Sequence, residues 1–363
     1  MIFLGSMLLL CILALIMILF VTKKIYLFEI LEKIKNKYIR YIIACIPALI
    51  IMPMLWIDYF STIIVLFTLV VFWIIGDLIC LLIKKITKKV IKNITRDTII
   101  LLFTTIYFVI GFYLAHNVVE TKYTIETNKN IGMEQFRIAQ ISDSHIGSTM
   151  DGKQFNKYME RINNTNPDIV VITGDYVDDD TDFYDMRIAC EGLGTLKTKY
   201  GVYYVYGNHD KGYFDYRDFD DNDLRKELQK NNVIILEDEI VELTDEIYLI
   251  GRQDKSVKDR KSIQELVKDL DKNKYMIDLN HQPNDYKNEE QAGVDLVLAG
   301  HTHGGQFFPI GQIGTLLGFN DDYYGLEKRG NTNFIVNSGL GDWTIKFKIG
   351  TISEYTIIDI IQK

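Results

Sequence analysis

The chain has 363 residues and a formal net charge of −8, but its charge is divided unevenly along the sequence. Residues 1–118 hold nearly all the long apolar runs and carry 12 Lys/Arg against 5 Asp/Glu, whereas residues 119–363 carry 28 against 43. This division, +7 followed by −15, excludes a free soluble enzyme, and the lack of a Lys/Arg cluster after residue 100 argues against nucleic acid as a main partner.

Four apolar runs in the first third approach the roughly 20 residues that a helix needs to cross a bilayer. The second run is short and contains Pro47 and Pro53, so the predicted orientation depends on whether it spans. The first run is interpreted as an anchor, because no Lys or Arg precedes it and no small-residue cleavage site follows it. The predicted spans are residues 2–21, 41–57, 61–83 and 98–116.

Lysine and arginine are concentrated in the loops that follow the first and third runs. These residues are Lys23, Lys24, Lys33, Lys35, Lys37 and Arg40, then Lys84, Lys85, Lys88, Lys89, Lys92 and Arg96. The positive-inside rule places both loops in the cytoplasm. With four spans, the soluble part is then predicted to lie on the extracytoplasmic side of the cell membrane.

An acid, a histidine and a cysteine outside the strand motifs could each have a function. Asp77 lies inside the third run, and we expect it to be paired with Lys84 or Lys85, with a transport role as the alternative. His116, at the end of the fourth run, is expected at the membrane interface. Cys190 is the single cysteine after residue 118, so no disulfide is predicted within the soluble part.

Beyond residue 133, five strand-like runs each lead to residues that can bind a metal ion. The runs are residues 136–141, 168–173, 202–206, 275–279 and 294–299. The residues that follow them are, in order, Asp143 and His145, then Asp175, then Asn208 and His209, then His281, and finally His301 and His303. Because ligand sites of α/β sheets lie at the carboxyl ends of the strands, we expect these side chains to converge.

The chemistry of these side chains indicates two metal ions. Carboxylates, an amide oxygen and imidazoles form a mixed oxygen and nitrogen set without thiolate, which suits Mn, Fe or Zn better than Ca. They are too many for one tetrahedral site, but they would fill two adjacent sites that share a carboxylate. Two metals about 3.5–4 Å apart form the clamp that enzymes use for in-line displacement at phosphorus.

The ordered set of motifs resembles the calcineurin-like metallophosphoesterases. The motifs are Asp143-x-His145, Gly174-Asp175-x-x-Asp178, Gly207-Asn208-His209-Asp210, His281 and Gly300-His301-x-His303, and the ending Asn337-Ser338-Gly339-Leu340-Gly341 is similar to the prokaryotic membrane-associated branch. The resemblance covers about residues 134–358. It implies a four-layer αββα sandwich, so the predicted α/β protein has a four-helix transmembrane region at 1–118, a linker at 119–133 and a metallophosphoesterase domain at 134–363.

The resemblance also implies roles for individual residues. Asp143, His145 and His303 would bind the first metal, Asn208, His281 and His301 the second, and Asp175 both. His209 would be the catalytic acid, and Asp178 would hold it. Asp179, Asp180 and Asp210 replace the Arg, Gly and Glu of the Ser/Thr protein phosphatase branch, so a protein phosphatase is not predicted.

The predicted function is therefore a membrane-anchored phosphoesterase with two divalent metal ions. Its expected substrate is a lipid-linked or envelope phosphomonoester or phosphodiester, attacked by a hydroxide held between the metals. Two alternatives stay open: a phosphodiesterase or phosphatase for nucleotides, and a membrane sensor or scaffold whose metal site is not catalytic. No nucleic-acid partner is expected.

Overall fold

The computed structural model describes residues 2–213 and 217–363, with the side chains from residue 9 onward. Within it the chain forms two compact units, Met1–Gly111 and Phe112–Lys363. Each unit has its own apolar core.

The first unit is helical, and its helices coincide with the predicted spans. Four of the helices are long and apolar enough to cross a membrane, namely α1, α3, α4 and α5. Each extends beyond the run that predicted it, and Pro47 and Pro53 lie inside α3. The helices are α1 (Ile2–Tyr26), α2 (Glu29–Glu32), α3 (Lys37–Ile57), α4 (Tyr59–Thr87) and α5 (Asn93–His116), of which α5 ends in the second unit.

Asp77 is paired, but the predicted partners are wrong. Its carboxylate binds Lys24 of α1 and Arg96 of α5, the latter with an Nη1–Oδ1 distance of 2.9 Å. Lys84 and Lys85 lie seven and eight residues further along α4, about 11 Å along the helix axis, which is too far for a direct contact. The ion pairs therefore join three helices.

The second unit contains two sheets. Within its described residues, each sheet has six strands, in the orders β1-β12-β2-β3-β4-β5 and β10-β11-β9-β8-β7-β6. Strands β2 to β5 run parallel to one another, as do β7, β8, β9 and β11, so their carboxyl ends share an edge. The strands are β1 (Val119–Thr127), β2 (Gln135–Ile141), β3 (Ile169–Thr173), β4 (Val202–Val205), β5 (Val233–Ile235), β6 (Glu239–Thr244), β7 (Ile247–Gly251), β8 (Tyr275–Leu279), β9 (Leu296–Ala299), β10 (Gly325–Arg329), β11 (Thr332–Val336) and β12 (Glu354–Gln362).

Helices cover the outer face of each sheet. The covering helices are α6 (Gly152–Asn163), α7 (Phe183–Leu193), α8 (Asp221–Lys230), α9 (Ile263–Val267) and α10 (Tyr286–Ala292), and a further helix, α11 (Ile310–Leu316), follows β9. One apolar core lies between the two sheets, for example Ile138 and Val171 against Ile277. Two further cores join the first sheet to α6, α7 and α8 and the second sheet to α9 and α10. The predicted four-layer αββα sandwich is confirmed.

Residues 119–133, predicted as a linker, contain strand β1. This strand pairs in parallel with β12 along its nine residues. The residues just before β1 are also bound to Ser353. The Leu114 carbonyl accepts a hydrogen bond from the Ser353 N–H (3.0 Å), and the Ala115 carbonyl accepts one from the Ser353 hydroxyl (2.8 Å). The sequence predicts a linker here because the partner strand lies near the other end of the chain.

Two neighbouring strands of the first sheet, β2 and β12, are also joined by a charged pair. Arg137 on β2 contacts both carboxylate oxygens of Asp359 on β12, at 2.7 and 2.9 Å. The hydrogen bond from Arg137 lowers the pKa of Asp359 from its ordinary value. The two side chains are 32% and 20% exposed, so solvent partly screens this two-point contact.

We expect Asp359→Asn to lower the free energy of unfolding by about 1 kcal/mol at pH 7. Because the folded-state pKa is lowered, this stabilisation is present above the unfolded-state value of about 3.9 and is lost as the pH falls through the folded-state pKa. Chemical denaturation of the detergent-solubilised full chain at pH 7 and pH 3 measures it. Glu126→Gln, which breaks the exposed pair with Lys363, is the control with a much smaller effect; an equal loss at both pH values for Asp359→Asn would contradict the prediction.

Candidate metal centre

The site lies where both sheets present the carboxyl ends of their parallel strands. Strands β2, β3 and β4 of the first sheet lead to Asp143 and His145, to Asp175, and to the turn that holds Asn208 and His209. Strands β8 and β9 of the second sheet lead to His281, His301 and His303. The structure thus brings together all of the side chains that the sequence predicted for the site, from two sheets.

The backbone at the site is strained. Five non-glycine residues there have positive φ: Asp143 (47°), His145 (39°), Asp175 (51°), His301 (72°) and His303 (49°). Such conformations are uncommon for residues with a side chain and persist where the surrounding structure enforces them. The turns after the strands therefore direct these side chains towards the site, and this orientation requires local backbone strain.

A first set of possible ligands consists of Asp143, His145 and His303. One ligand atom from each lies within 4.8 Å of the others, and all three residues are buried. His303 Nε2 is 3.8 Å from Asp143 Oδ1. His145 Nε2 is buried and has no hydrogen-bond partner among the described residues, so a nitrogen lone pair faces this position.

A second set consists of Asp175, His281 and His301, again with ligand atoms within 4.8 Å of one another. His281 donates from Nδ1 to the Thr173 carbonyl at 2.7 Å, which leaves Nε2 to face the centre. That Nε2 lies 3.1 Å from Asp175 Oδ2 and 3.2 Å from Asn208 Oδ1. Asn208 therefore joins the second set.

Asp175 faces both sets. Its Oδ2 atom, which contacts His281, is also 3.8 Å from His145 Nε2 of the first set. Burial alone would raise the pKa of Asp175, but the facing imidazoles of His281 and His145 hold it well below its usual value. Conversely, burial lowers the pKa of His281 but Asp175 raises it well above normal, whereas burial and His281 lower that of His301 to about 4. The carboxylate stays ionised between two groups of imidazoles.

Asp178 holds two histidines, whereas the sequence predicted one. Its Oδ1 lies 3.2 Å from His209 Nδ1, and its Oδ2 lies 3.1 Å from His145 Nδ1. Burial would raise the pKa of Asp178, but hydrogen bonds with both imidazoles lower it. These three residues form a further cluster of one acid and two histidines. In this cluster the Asp178 carboxylate already engages the Nδ1 atoms of both histidines.

Asp210 connects the turns after β3 and β4. Its carboxylate accepts hydrogen bonds from the backbone N–H groups of Asp175 (2.9 Å), Tyr176 (2.8 Å), Val177 (3.1 Å) and Gly207 (2.6 Å). Burial, with Asp175 nearby, raises its pKa. The carboxylate thus supplies the acceptor for four buried backbone donors around the site.

Sequence reasoning missed a buried pair behind His303. Asp342 Oδ1 lies 3.3 Å from His303 Nδ1 and 3.0 Å from Lys348 Nζ, and both Asp342 and Lys348 are fully buried. Asp342 directly follows the Asn337-to-Gly341 motif, which was a signal for its position. Trp343, the next residue, places its ring 5.0 Å from that of His209, and Tyr213 places its ring at 4.9 Å.

Replacing Asp210 with Ala would leave four buried N–H groups without an acceptor. Since each unsatisfied buried donor costs about 1–3 kcal/mol, we expect Asp210→Ala to lower the free energy of unfolding by about 3 kcal/mol or more. Asp210→Asn keeps one acceptor oxygen and should lose less. Denaturation curves of the three proteins test this order, and an Ala variant as stable as wild type would show that the network is not needed.

Sequence comparisons agree with the site. The family model described as calcineurin-like phosphoesterase matches residues 136–305. A metallophosphoesterase of Aquifex aeolicus is 34% identical over 250 residues, which cover 67% of this chain and 91% of the relative. One from Helicobacter pylori is 31% identical over 236 residues, or 63% and 61% of the two chains. A Danio rerio protein, named as a transmembrane protein with a metallophosphoesterase domain, is 28% identical over 289 residues, or 74% and 63%.

The alignments cover different shares of the relatives. This chain spans 61% of the length of the Helicobacter pylori relative and 60% of one from Campylobacter jejuni, but 91% of the Aquifex aeolicus protein. The family match includes the turns that carry Asp143, Asp175 and His301. The chain belongs to the calcineurin-like metallophosphoesterase family.

Proposed function

We propose that this protein is a membrane-anchored phosphoesterase whose centre binds two divalent metal ions. The observation that carries the proposal is the position of Asp175 Oδ2, at 3.1 Å from His281 Nε2 and 3.8 Å from His145 Nε2. One carboxylate oxygen thus faces both sets of possible ligands, as expected of a carboxylate that bridges two cations.

The residues present fit such ions. Asp143, His145 and His303 would hold one cation, Asn208, His281 and His301 the other, and Asp175 both. Two carboxylates, four imidazoles and an amide oxygen without thiolate suit Mn, Fe or Zn. The buried His145 Nε2 has no hydrogen-bond partner among the described residues, so it can serve as a ligand. When bound, two divalent ions would acidify water and stabilise charge on phosphoryl oxygens.

His209 is proposed as the proton donor to the leaving oxygen. Its Nδ1 is engaged by Asp178 at 3.2 Å, so its Nε2 is the atom that can carry the transferred proton. The lowered pKa of Asp178 keeps that carboxylate ionised, so it can accept the hydrogen bond that fixes the His209 ring. The exposed rings of Trp343 and Tyr213 lie within 5.0 Å of the His209 ring and would contact a bound substrate.

We expect His209→Gln to lower turnover of bis-p-nitrophenyl phosphate by about 10²–10⁴-fold, the usual contribution of a general acid. Metal content, measured by elemental analysis of the full chain reconstituted with Mn²⁺, Fe²⁺ or Zn²⁺, should stay at the wild-type value. Asp175→Asn is the matched control and should lose metal together with activity. An unchanged rate in the His209 variant would remove this residue from the mechanism. Bound metal in the wild-type chain without turnover of any phosphoester would favour the alternative of a membrane sensor or scaffold.

The proposed substrate is a lipid-linked or envelope phosphoester. Four helices that can cross a membrane precede the catalytic domain and support this class. The same purified chain, assayed in parallel on lipid phosphates and on nucleotides, distinguishes the proposal from the nucleotide alternative. A clear preference for nucleotides would replace it.

We propose that the catalytic domain lies outside the cytoplasm. The argument is the concentration of Lys and Arg in residues 23–40 and 84–96, which lie at one common side if α1, α3, α4 and α5 all span. Protease added to intact spheroplasts should then digest residues 119–363 and spare a cytoplasmic marker. If these residues are digested only after the membrane is opened, the domain lies in the cytoplasm and the proposed topology is wrong.

A further inference from the structure

An exposed apolar segment, residues 307–319, follows directly after the turn that holds His303. Its large apolar side chains point outward, with exposed fractions of 66% for Phe308, 58% for Ile310, 44% for Ile313, 85% for Leu316, 62% for Leu317 and 68% for Phe319. The sequence has no Asp, Glu, Lys or Arg between Asp295 and Asp321. Soluble surfaces rarely expose so much contiguous apolar area, so the segment needs a partner.

The apolar segment is fixed at its base. Gln306 donates from Nε2 to the carbonyls of Ile345 (3.1 Å) and Phe347 (2.6 Å). The Phe308 N–H donates to the Ile349 carbonyl at 2.9 Å, and the Ile349 N–H donates to the Gln306 carbonyl at 2.8 Å. The base is thus satisfied by hydrogen bonds, whereas the outward side chains are not buried by the described residues.

The strand-like stretch that holds the base also contacts the end of helix α5. The ring of Phe347 lies 6.3 Å from that of Phe112 in the last turns of α5. A few residues later, Ser353 binds the carbonyls of Leu114 and Ala115. Because α5 is a candidate membrane span that ends at His116, the apolar segment is attached to the part of the domain where the chain would leave a bilayer.

The same end of α5 has a cationic neighbourhood. A cavity of about 350 Å³ is lined by His116, Lys157, Arg161 and other residues, none of them a carboxylate. Within the acidic second part of the chain, this local positive surface suits contact with phosphate headgroups.

From these observations we infer that residues 307–319 insert into the interfacial layer of the lipid bilayer. The segment then forms a second membrane contact of the catalytic domain, in addition to the helices. Outward Phe and Leu side chains are among those that interfacial segments bury at the boundary between headgroups and acyl chains. The contact is a property of the surface and holds whether or not the site hydrolyses a phosphoester.

Photo-crosslinking of the full chain in nanodiscs of phosphatidylcholine and phosphatidylglycerol tests the inference. Benzoylphenylalanine is introduced separately at Leu316, at Phe319 and, as a matched control, at Ile234, an apolar residue on β5 that is 43% exposed. Leu316 is the most exposed of the three, so its replacement should leave the fold unchanged, and Phe319 provides an independent second position. After irradiation, mass spectrometry of the intact chain identifies each adduct.

Phospholipid adducts at Leu316 and Phe319, with none at Ile234, are the expected result. Adducts to a second copy of the chain would show that protein covers the segment and would overturn the inference. Equal lipid labelling at all three positions, or none at either test position, would overturn it as well.

Discussion

The geometry of the centre depends on the hydrogen bonds that the Asp210 carboxylate accepts from the backbone. Two turns, each at the end of a different strand, must come close enough for their side chains to contribute to one site. Their backbone N–H groups point inward and would be left without acceptors, at about 1–3 kcal/mol each. Asp210 satisfies four of them, including that of Asp175. Asp175 in turn accepts from the His209 N–H at 2.8 Å, so one carboxylate positions the next.

The histidines of the centre are oriented by the protein itself. His281 is held at Nδ1 by the Thr173 carbonyl and His145 by Asp178, and Asp342 Oδ1 lies 3.3 Å from His303 Nδ1. In each ring the second nitrogen is left to face the centre. Such outer contacts fix the ring direction and raise ligand basicity. Asp178 performs this task for His145 and for His209 together, which joins the metal-binding and proton-donating parts of the proposed mechanism.

The sequence was most informative where structure is local. The strands before Asp143, Asp175 and His301 are short buried apolar runs, so their ends could be read directly, and ligand chemistry then predicted the site. Interactions between distant segments could not be predicted this way. The sequence predicts a linker where strand β1 lies, because its partner β12 is near the other end of the chain. It predicts lysines of the same helix as partners of Asp77, whereas the actual partners come from two other helices.

The exposed apolar segment also affects how the protein can be handled. Removing the four membrane helices would leave residues 307–319 on the surface of the remaining domain, together with their outward Phe and Leu side chains. Cutting at residue 119 would in addition remove the Leu114 and Ala115 carbonyls that Ser353 binds. A truncated catalytic domain should therefore need detergent or lipid to stay monomeric.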